Sequence, residues 1–245
     1  MSTTKHTATD RLNALPNTEL WLIRHGESTG NRDGVLQGQE DMPLSDLGHD
    51  QAKRLAKRLS TTKFTALYSS DLSRARQTAE YAADALSLLI SADARLREID
   101  VGKWSGLNNV AIAERFPEEW SAWMDRDPEL RRGGGESYAQ AQKRVASAIT
   151  DLARKHPGGR VAIVMHGGVI RAYIAQLLGL DLRHIWHLTI MNTSITRARP
   201  FAPAIQGGRR PRPGRIDVIN DASHLETPTA IIQRKKAQRR TSTTA

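Results

Sequence analysis

Two histidines stand where side chains could do chemistry. His25 ends an apolar run at residues 20–25, and His166 ends another at 161–166; glycine follows each at once. Both runs are typical of buried strands. Because ligands of an open α/β sheet bind just past the carboxyl ends of its strands, we expect both imidazoles at one site. Arg24, directly before His25, suits that site to an anion.

Two more residues have side chains that could bind an anion or transfer a proton at this site. Arg74 lies in the first turn of the helix predicted after the second strand, and Glu98 lies in the segment 96–102. Arginine forks match phosphate oxygens, a neutral histidine can act as a nucleophile, and a carboxylate can transfer a proton. Asp100 is a rival to Glu98 for that last role.

Strands alternate with helices along the chain. The pattern predicts strands at 19–25, 64–69, 161–166, 188–197 and about 215–220. It predicts helices at 46–59 with Ser45 as N-cap, from Ser70 or Asp71 to about 88, and at 108–125, 136–156 and 169–178. Residues 96–102 are irregular or strand-like. The fold class expected is α/β, a three-layer α/β/α sandwich with a mostly parallel central sheet and a small helical cap.

One domain is expected between two disordered ends. Residues 1–18 are predicted to be a disordered N-terminal segment and 229–245 a basic disordered tail. The domain spans 19–228, with the cap at 103–135 and a basic loop at 199–214 that joins a hairpin. The glycines at 133–135 are interpreted as a hinge or loop that presents the next helix.

The formal charge of +10 is concentrated outside the body of the domain. Eleven basic residues lie in two stretches without an acidic residue, 197–215 and 234–240. Setting those eleven aside leaves 25 of the 36 basic residues against 26 acidic ones. Because the tail has no aromatic residue to stack on bases, we do not expect nucleic-acid binding, and polyanion binding by the tail is an alternative.

Composition and hydropathy narrow the kinds of site and of partner that the protein can have. The chain has no cysteine, which excludes disulfides, thiolate metal sites and a cysteine nucleophile. No apolar run approaches the ~20 residues of a membrane helix, so we expect no membrane partner and a cytoplasmic location. An exposed hairpin edge could pair with a second copy in a homodimer.

The motifs together resemble the histidine phosphatase superfamily, in its phosphoglycerate-mutase-like branch and of the broad-specificity phosphatase type. The resemblance is carried in order by residues 24–31, 36–38, 43–48, 69–75, 96–98 and 164–168. It implies that His25 is the nucleophile that becomes phosphorylated and that Glu98 is the proton donor and acceptor. The phosphoryl group would be bound by Arg24, Arg74 and His166, and the pocket would be lined by Asn31, Gln37, Gly38 and Gly167.

By this resemblance the chain is a metal-independent phosphomonoester hydrolase that acts through phosphohistidine on a small phosphorylated metabolite, with no cofactor. The short cap, 103–132, favours a phosphatase, because mutases of the family usually carry a longer insertion with extra basic residues. A phosphoglycerate mutase is the alternative enzyme, and a non-catalytic binder of phospho-ligands or polyanions is the alternative of another class.

Two further features bear on specificity and on metals. We expect specificity at a partly apolar rim near Trp104, Trp120 and Trp123. His184 and His187 have a spacing compatible with a metal pair on a helix. No third ligand is evident, so we interpret them as packing residues near Trp186 and predict no metal site.

Overall fold

The computed structural model describes residues 18–202 and 212–225. The basic tail at 229–245, the centre of the predicted basic loop and the predicted disordered segment up to residue 17 lie outside the described residues. Residue 18 was assigned to that segment, and this is wrong. Thr18 is buried, and its hydroxyl donates a hydrogen bond to the carbonyl oxygen of Ala153 at 2.8 Å.

A six-stranded sheet forms the centre of the molecule, in the order β3-β2-β4-β1-β5-β6. The strands are β1 (Glu19–Arg24), β2 (Ala66–Ser69), β3 (Ile90–Ala92), β4 (Arg160–Met165), β5 (Ile195–Ala202) and β6 (Arg212–Asp221). The pairings from β3 to β1 are parallel, and those of β5 with β1 and β6 are antiparallel. β6 is an edge strand of the kind on which the predicted homodimer would depend, and that assembly stays a prediction.

Helices connect the strands and cover both faces. They are α1 (Thr29–Arg32), α2 (Asp46–Leu59), α3 (Ser73–Leu86), α4 (Asn109–Arg115), α5 (Pro117–Met124), α6 (Tyr138–Lys155) and α7 (Gly167–Leu178). Side chains alternate across β1, so that Leu20 and Leu22 pack with α6 and α7 while Trp21 and Ile23 pack with α2 and α3. The predicted three-layer α/β/α sandwich with a mostly parallel sheet is confirmed. Across the described residues no helix combines the length and apolar character needed to cross a bilayer.

Local capping explains where two helices begin, and it corrects one prediction. Ser45 caps α2 as predicted, since its side chain accepts the N–H of Gly48 at 3.1 Å. The predicted cap of α3 is wrong. Leu72 is the N-cap and makes no side-chain hydrogen bond. Ser70 contacts His166, and Asp71 pairs with Arg97 at 2.6 Å, so neither side chain is free to cap the helix.

The cap helix predicted at 108–125 is two helices. The chain leaves the helical conformation at Phe116 (φ −135°, ψ 58°), and Pro117 starts α5. Proline disfavours a helical conformation in the residue before it and lacks an N–H, but it fits the first helical position. The break therefore lies at the residue pair that local chemistry dictates.

The hairpin differs from its prediction at both ends. β5 starts at Ile195 instead of 188, because a 3-10 helix (Leu182–His187) and a turn with Thr193 at φ +53° precede it. The loop predicted at 199–214 is shorter, since β5 runs to 202 and β6 begins at 212. Arg199 is neutralised by Glu19 at 3.0 Å and Asp217 at 3.2 Å, acids from neighbouring strands that a local charge count does not include. The short edge strand β3 was not predicted.

Candidate active site

The carboxyl ends of β1 and β4 bring the two histidines together. Arg24 pairs with Met165 in the parallel register, so the residues that follow, His25 and His166, emerge side by side. Their ring centroids are 5.1 Å apart. His25 is 3% exposed and His166 is fully buried.

A backbone hydrogen bond fixes the tautomer of His25. Its Nδ1 lies 2.6 Å from the carbonyl oxygen of Gly26. A carbonyl oxygen can only accept, so Nδ1 carries the hydrogen and Nε2 keeps a free lone pair. Burial, followed by the charges of Arg74 and Arg24, holds the pKa of His25 well below its usual range. The imidazole is therefore neutral and presents one nucleophilic nitrogen.

His166 is neutral for the same reasons. Burial and the nearby charge of Arg74 lower its pKa well below the usual range. Its Nε2 lies 2.9 Å from the hydroxyl oxygen of Ser70, at the end of β2. Its Nδ1 is buried and has no hydrogen-bond partner among the described residues.

Backbone carbonyls hold the two arginines. Arg24 donates from Nη1 to Ile190 O at 2.6 Å, while Arg74 donates to Glu40 O at 2.8 Å and to Gly38 O at 2.7 Å. The Nε of each arginine is buried without a partner in the described part of the chain. Burial, with repulsion from Arg171 and Arg74, lowers the pKa of Arg24 to about 10. Both groups are rigid cations with a donor to spare for an anion.

Glu98 lies on the N-terminus of α7. Its carboxylate accepts the backbone N–H of Gly168 at 2.9 Å, of Val169 at 3.2 Å and of Ile99 at 2.9 Å. A Cβ on Gly168 would lie 2.5 Å from Oε1 of Glu98, so only glycine admits the carboxylate here. The sequence interpretation missed Gly168, although two glycines after a strand-end histidine indicate that another group approaches the backbone closely there. Asp100 instead accepts the N–H of Gly102 at 2.8 Å and does not line the pocket.

Three of the four predicted pocket residues line the pocket beside His25. Asn31 accepts hydrogen bonds from Ser28 and Asn192 through Oδ1, and Gln37 accepts one from Ser28 through Oε1. Each amide nitrogen stays available to a ligand. Gly38 also lines the pocket, whereas Gly167 does not. A Cβ on Gly167 would lie 3.2 Å from Nε of Arg24, which makes that glycine a support for the arginine.

The cap closes the other side of a pocket of about 240 Å³. This wall comes from separate elements and was largely missed from the sequence. Its residues are Trp123, Arg132, Tyr138, Arg171 and Trp186. Arg171 lies five residues after His166, and its place on the same short helix could have indicated it.

The predicted apolar rim of tryptophans is wrong in part, and so is the interpretation of His184 and His187 as packing residues. Trp104 is fully buried beneath Trp123, with ring centroids 6.0 Å apart, and neither Trp104 nor Trp120 lines the pocket. His184 and His187 are exposed rather than packed, because the 3-10 helix points them outward. Among the described residues no group of three His, Cys, Asp or Glu side chains could hold a metal ion.

Comparison with known proteins agrees with this geometry. A family model described as the histidine phosphatase superfamily, branch 1, matches residues 20–203. The chain belongs to the histidine phosphatase superfamily. Phosphoserine phosphatase 1 of Hydrogenobacter thermophilus is 36% identical over 176 residues, 72% of this chain and 83% of that protein.

Two further relatives of this histidine phosphatase align with it over nearly their whole length. A probable phosphoglycerate mutase, GpmB of Klebsiella pneumoniae, is 32% identical over 86% of this chain and 96% of its own. The solved structure of a mycobacterial glucosyl-3-phosphoglycerate phosphatase superposes with a TM-score of 0.72 at 31% identity, over 82% of this chain and 98% of that one. The predicted family and the predicted phosphatase activity are confirmed.

Proposed function

We propose that this histidine phosphatase hydrolyses monoesters of small phosphorylated metabolites through a phosphoryl group carried on Nε2 of His25. One observation carries the proposal. The free nitrogen of a neutral imidazole, with its tautomer fixed by Gly26, lies beside two anchored arginines that each keep an unpartnered buried Nε. Phosphoryl transfer depends mainly on positioning and on charge stabilisation, and this arrangement provides both.

In the first step, the Nε2 lone pair of His25 forms a bond to phosphorus while the bond between phosphorus and the ester oxygen breaks. The leaving oxygen takes a proton from the carboxyl group of Glu98. Arg24 and Arg74 donate to the phosphoryl oxygens, where negative charge is concentrated in the transition state. His166 becomes protonated when the phosphate dianion offsets the repulsion from these arginines, and it then donates as well.

In the second step, the Glu98 carboxylate takes a proton from water. The water oxygen forms a bond to phosphorus, the bond between phosphorus and Nε2 breaks, and inorganic phosphate leaves. Glu98 is protonated again and His25 is free for the next ester. The cations that stabilise both steps are arginines, so the scheme includes no metal.

Hydrolysis of p-nitrophenyl phosphate in excess chelator tests this proposal. The wild-type chain should keep its activity, and His25→Ala should lose it by a factor of about a thousand or more. His187→Ala removes an exposed histidine outside the pocket and serves as the matched control. Acid-labile, base-stable phosphate should appear on quenched wild-type protein. Turnover in His25→Ala, or loss of activity in chelator, would contradict the mechanism.

A mutase remains the second candidate because of the 32% identity to GpmB over 86% of this chain. Transfer of the phosphoryl group from His25 to a second hydroxyl of a bound phosphoglycerate, instead of water, would give that reaction. A bisphosphate-primed interconversion of 3- and 2-phosphoglycerate that outpaces phosphate release would favour it. Phosphate release that exceeds interconversion supports the phosphatase.

We also propose that the enzyme acts in the cytoplasm. Small phosphorylated metabolites carry charge and are retained in that compartment, where such a phosphatase meets its substrates. Fractionation of cells with detection of the full-length chain tests the location. Recovery in the membrane or exported fraction would contradict it.

A further inference from the structure

Arg144, on α6, is a half-buried cation whose N–H donors all have acceptors within the protein. Its Nη1 donates to the carbonyl oxygen of Arg95 at 2.7 Å and to that of Arg97 at 3.0 Å, and its Nη2 donates to that of Glu98 at 3.3 Å. The carboxylate of Glu136 accepts from Nε at 2.9 Å and from Nη2 at 2.6 Å. A guanidinium carries five N–H donors in a planar fork, and here each of the five has its own acceptor.

The segment that Arg144 binds has little regular structure of its own. It begins in one turn of 3-10 helix (Ala94–Leu96) and continues through residues 97–101, which belong to neither a helix nor a strand. Backbone carbonyls in such a segment need partners from elsewhere, because a buried carbonyl without a hydrogen bond is costly. Arg144 supplies donors to three of them from α6, and Gln39 adds a donor to the carbonyl oxygen of Glu98 at 3.2 Å. Side chains therefore fix the backbone at Glu98.

Two helices hold the two ends of Glu98. Arg144 on α6 binds its backbone carbonyl, while backbone N–H groups in the first turn of α7 bind its carboxylate. The two helices contribute to the same hydrophobic core, and Nε2 of Gln142 on α6 donates to the carbonyl oxygen of Ala172 on α7 at 2.9 Å. The reach of the carboxylate into the pocket is therefore set by two attachments on helices that are themselves joined.

The ion pair with Glu136 holds the guanidinium but does not explain its other contacts. Nε and Nη2 meet the two carboxylate oxygens in the bidentate geometry typical of arginine with a carboxylate. An ion pair that only stabilised the fold would need these two donors. The other three donors reach carbonyl oxygens of the segment that carries Glu98. Arg144 lies outside the pocket lining, so it acts on a substrate only through that segment.

We propose that Arg144 is a positioning residue for the general acid: its fork, held by Glu136, keeps the backbone of Glu98 where the carboxyl group reaches the leaving oxygen. This inference rests on the proposed function, because it takes Glu98 as the proton donor, and it deepens that function. Arg144 itself touches neither the substrate nor the reacting atoms. Proton transfer requires hydrogen-bond contact, and a displacement of about 1 Å at a reacting group can cost about a hundredfold in rate.

Two esters with different leaving groups test the proposal. Glycerol 3-phosphate releases an alkoxide that needs a proton, whereas p-nitrophenyl phosphate releases a stable nitrophenolate. The ratio of kcat/KM for the first ester to kcat/KM for the second therefore reports proton donation, and a loss of folded protein cancels in it. Arg144→Met should lower this ratio about tenfold or more, toward the value of Glu98→Gln. The inhibition constant of inorganic phosphate should stay close to the wild-type value, because the arginines that line the pocket are unchanged.

Three further variants separate the geometry of Arg144 from its charge. Arg144→Lys keeps the charge but loses the fork, so it should also lower the ratio, and it replaces Arg144→Met if that variant does not fold. Adding Glu136→Gln to Arg144→Met should lower the ratio little further, because both residues act through the same contacts. Arg154→Met removes an exposed arginine from the same helix and is the matched control, which should leave the ratio unchanged.

Four outcomes would overturn the inference. An unchanged ratio in Arg144→Met, beside a lowered ratio in Glu98→Gln, would overturn it and leave the proposed function intact. An unchanged ratio in Glu98→Gln would remove the role of acid from Glu98 and the positioning role with it. A wild-type ratio in Arg144→Lys would show that the charge acts without the fork. An effect of Arg154→Met as large as that of Arg144→Met would show a general effect of charge on α6.

Discussion

Glu98 owes its orientation to backbone N–H groups rather than to a charged side chain. Gly168, Val169 and Ile99 hold the carboxylate from the protein side, and its position on the pocket wall leaves it open to a leaving group. Asp100, two residues further along the chain, accepts a hydrogen bond from the backbone N–H of Gly102. Within the described part of the chain, Glu98 is therefore the one carboxylate that lines the pocket and can transfer a proton.

Glu98→Gln should lower kcat/KM for alkyl phosphates about a hundredfold or more. It should lower kcat/KM for p-nitrophenyl phosphate far less, because nitrophenolate leaves without taking a proton and because kcat/KM does not include the later attack of water. The measurement is the ratio of kcat/KM for the alkyl ester to kcat/KM for the aryl ester. Asp100→Asn is the control and should leave that ratio unchanged. A fall in both kcat/KM values by the same factor in Glu98→Gln would show that Glu98 is not the acid.

The residues of the site divide into those the sequence could indicate and those it could not. Arg24 ends β1, and His25 and His166 directly follow β1 and β4. Because parallel strand ends meet at one edge of a sheet, their meeting was predictable. Tyr138, at the start of α6, and Trp186, in the 3-10 helix, meet at the pocket wall, with ring centroids 5.4 Å apart. No local pattern encodes that contact.

Among the elements, the glycine-rich segment before α6 sets the position of the cap. Gly133 has φ +56°, and a Cβ there would strike the carbonyl oxygen of Val101 and the backbone N of Lys103. Gly134 also has a positive φ, +79°, but a Cβ on it would meet nothing within 4 Å. The predicted hinge or loop is thus a tight backbone-to-backbone contact at Gly133.

Gly134→Ala should cost about 1 kcal/mol of unfolding free energy, the strain of a left-handed alanine. Gly133→Ala should cost about 3 kcal/mol or more, because the backbone contact adds to the same strain. Urea unfolding of the two variants measures the difference, and Gly134→Ala is the internal control. Equal losses would mean that the contact with Val101 contributes nothing.

Local chemistry predicted the elements well and their packing poorly. Ser45 and the periodic apolar residues after it placed α2 correctly, because a cap and a buried stripe are both written in neighbouring residues. β3 has only three residues and lies at a sheet edge, so its strand character comes from pairing with β2. The division of the cap helix at Pro117 was missed, although proline acts locally and could have indicated it.

At the scale of the whole molecule, the fold lowers the pKa of four histidines among the described residues. Burial lowers the pKa of His25, His156 and His166, and it lowers that of His224 to about 4. In the unfolded chain all four would titrate near 6.5. Below that pH the unfolded state binds more protons than the folded state, so stability is complete above about pH 6.5 and falls as the pH decreases toward the folded-state values.

The melting temperature should therefore fall between pH 7 and pH 5. The two buried site histidines, His25 and His166, can each contribute up to about 1.4 kcal/mol per pH unit. Thermal unfolding followed by circular dichroism across this range measures the slope. His25→Gln with His166→Gln should flatten it, whereas the exposed His187→Gln should not. A melting temperature that is constant from pH 7 to pH 5 would contradict the inferred neutral histidines.

The hydrogen bond between His25 and the Gly26 carbonyl also decides the regiochemistry of the covalent intermediate. A free histidine side chain has two ring nitrogens that can both react, and a phosphorylating agent yields two isomers. With Nδ1 occupied, the phosphoryl group can enter only at the far nitrogen, which gives N3-phosphohistidine as a single product. The peptide carbonyl of Gly26 thus acts as a permanent protecting group on Nδ1 and directs the phosphoryl group to the other nitrogen.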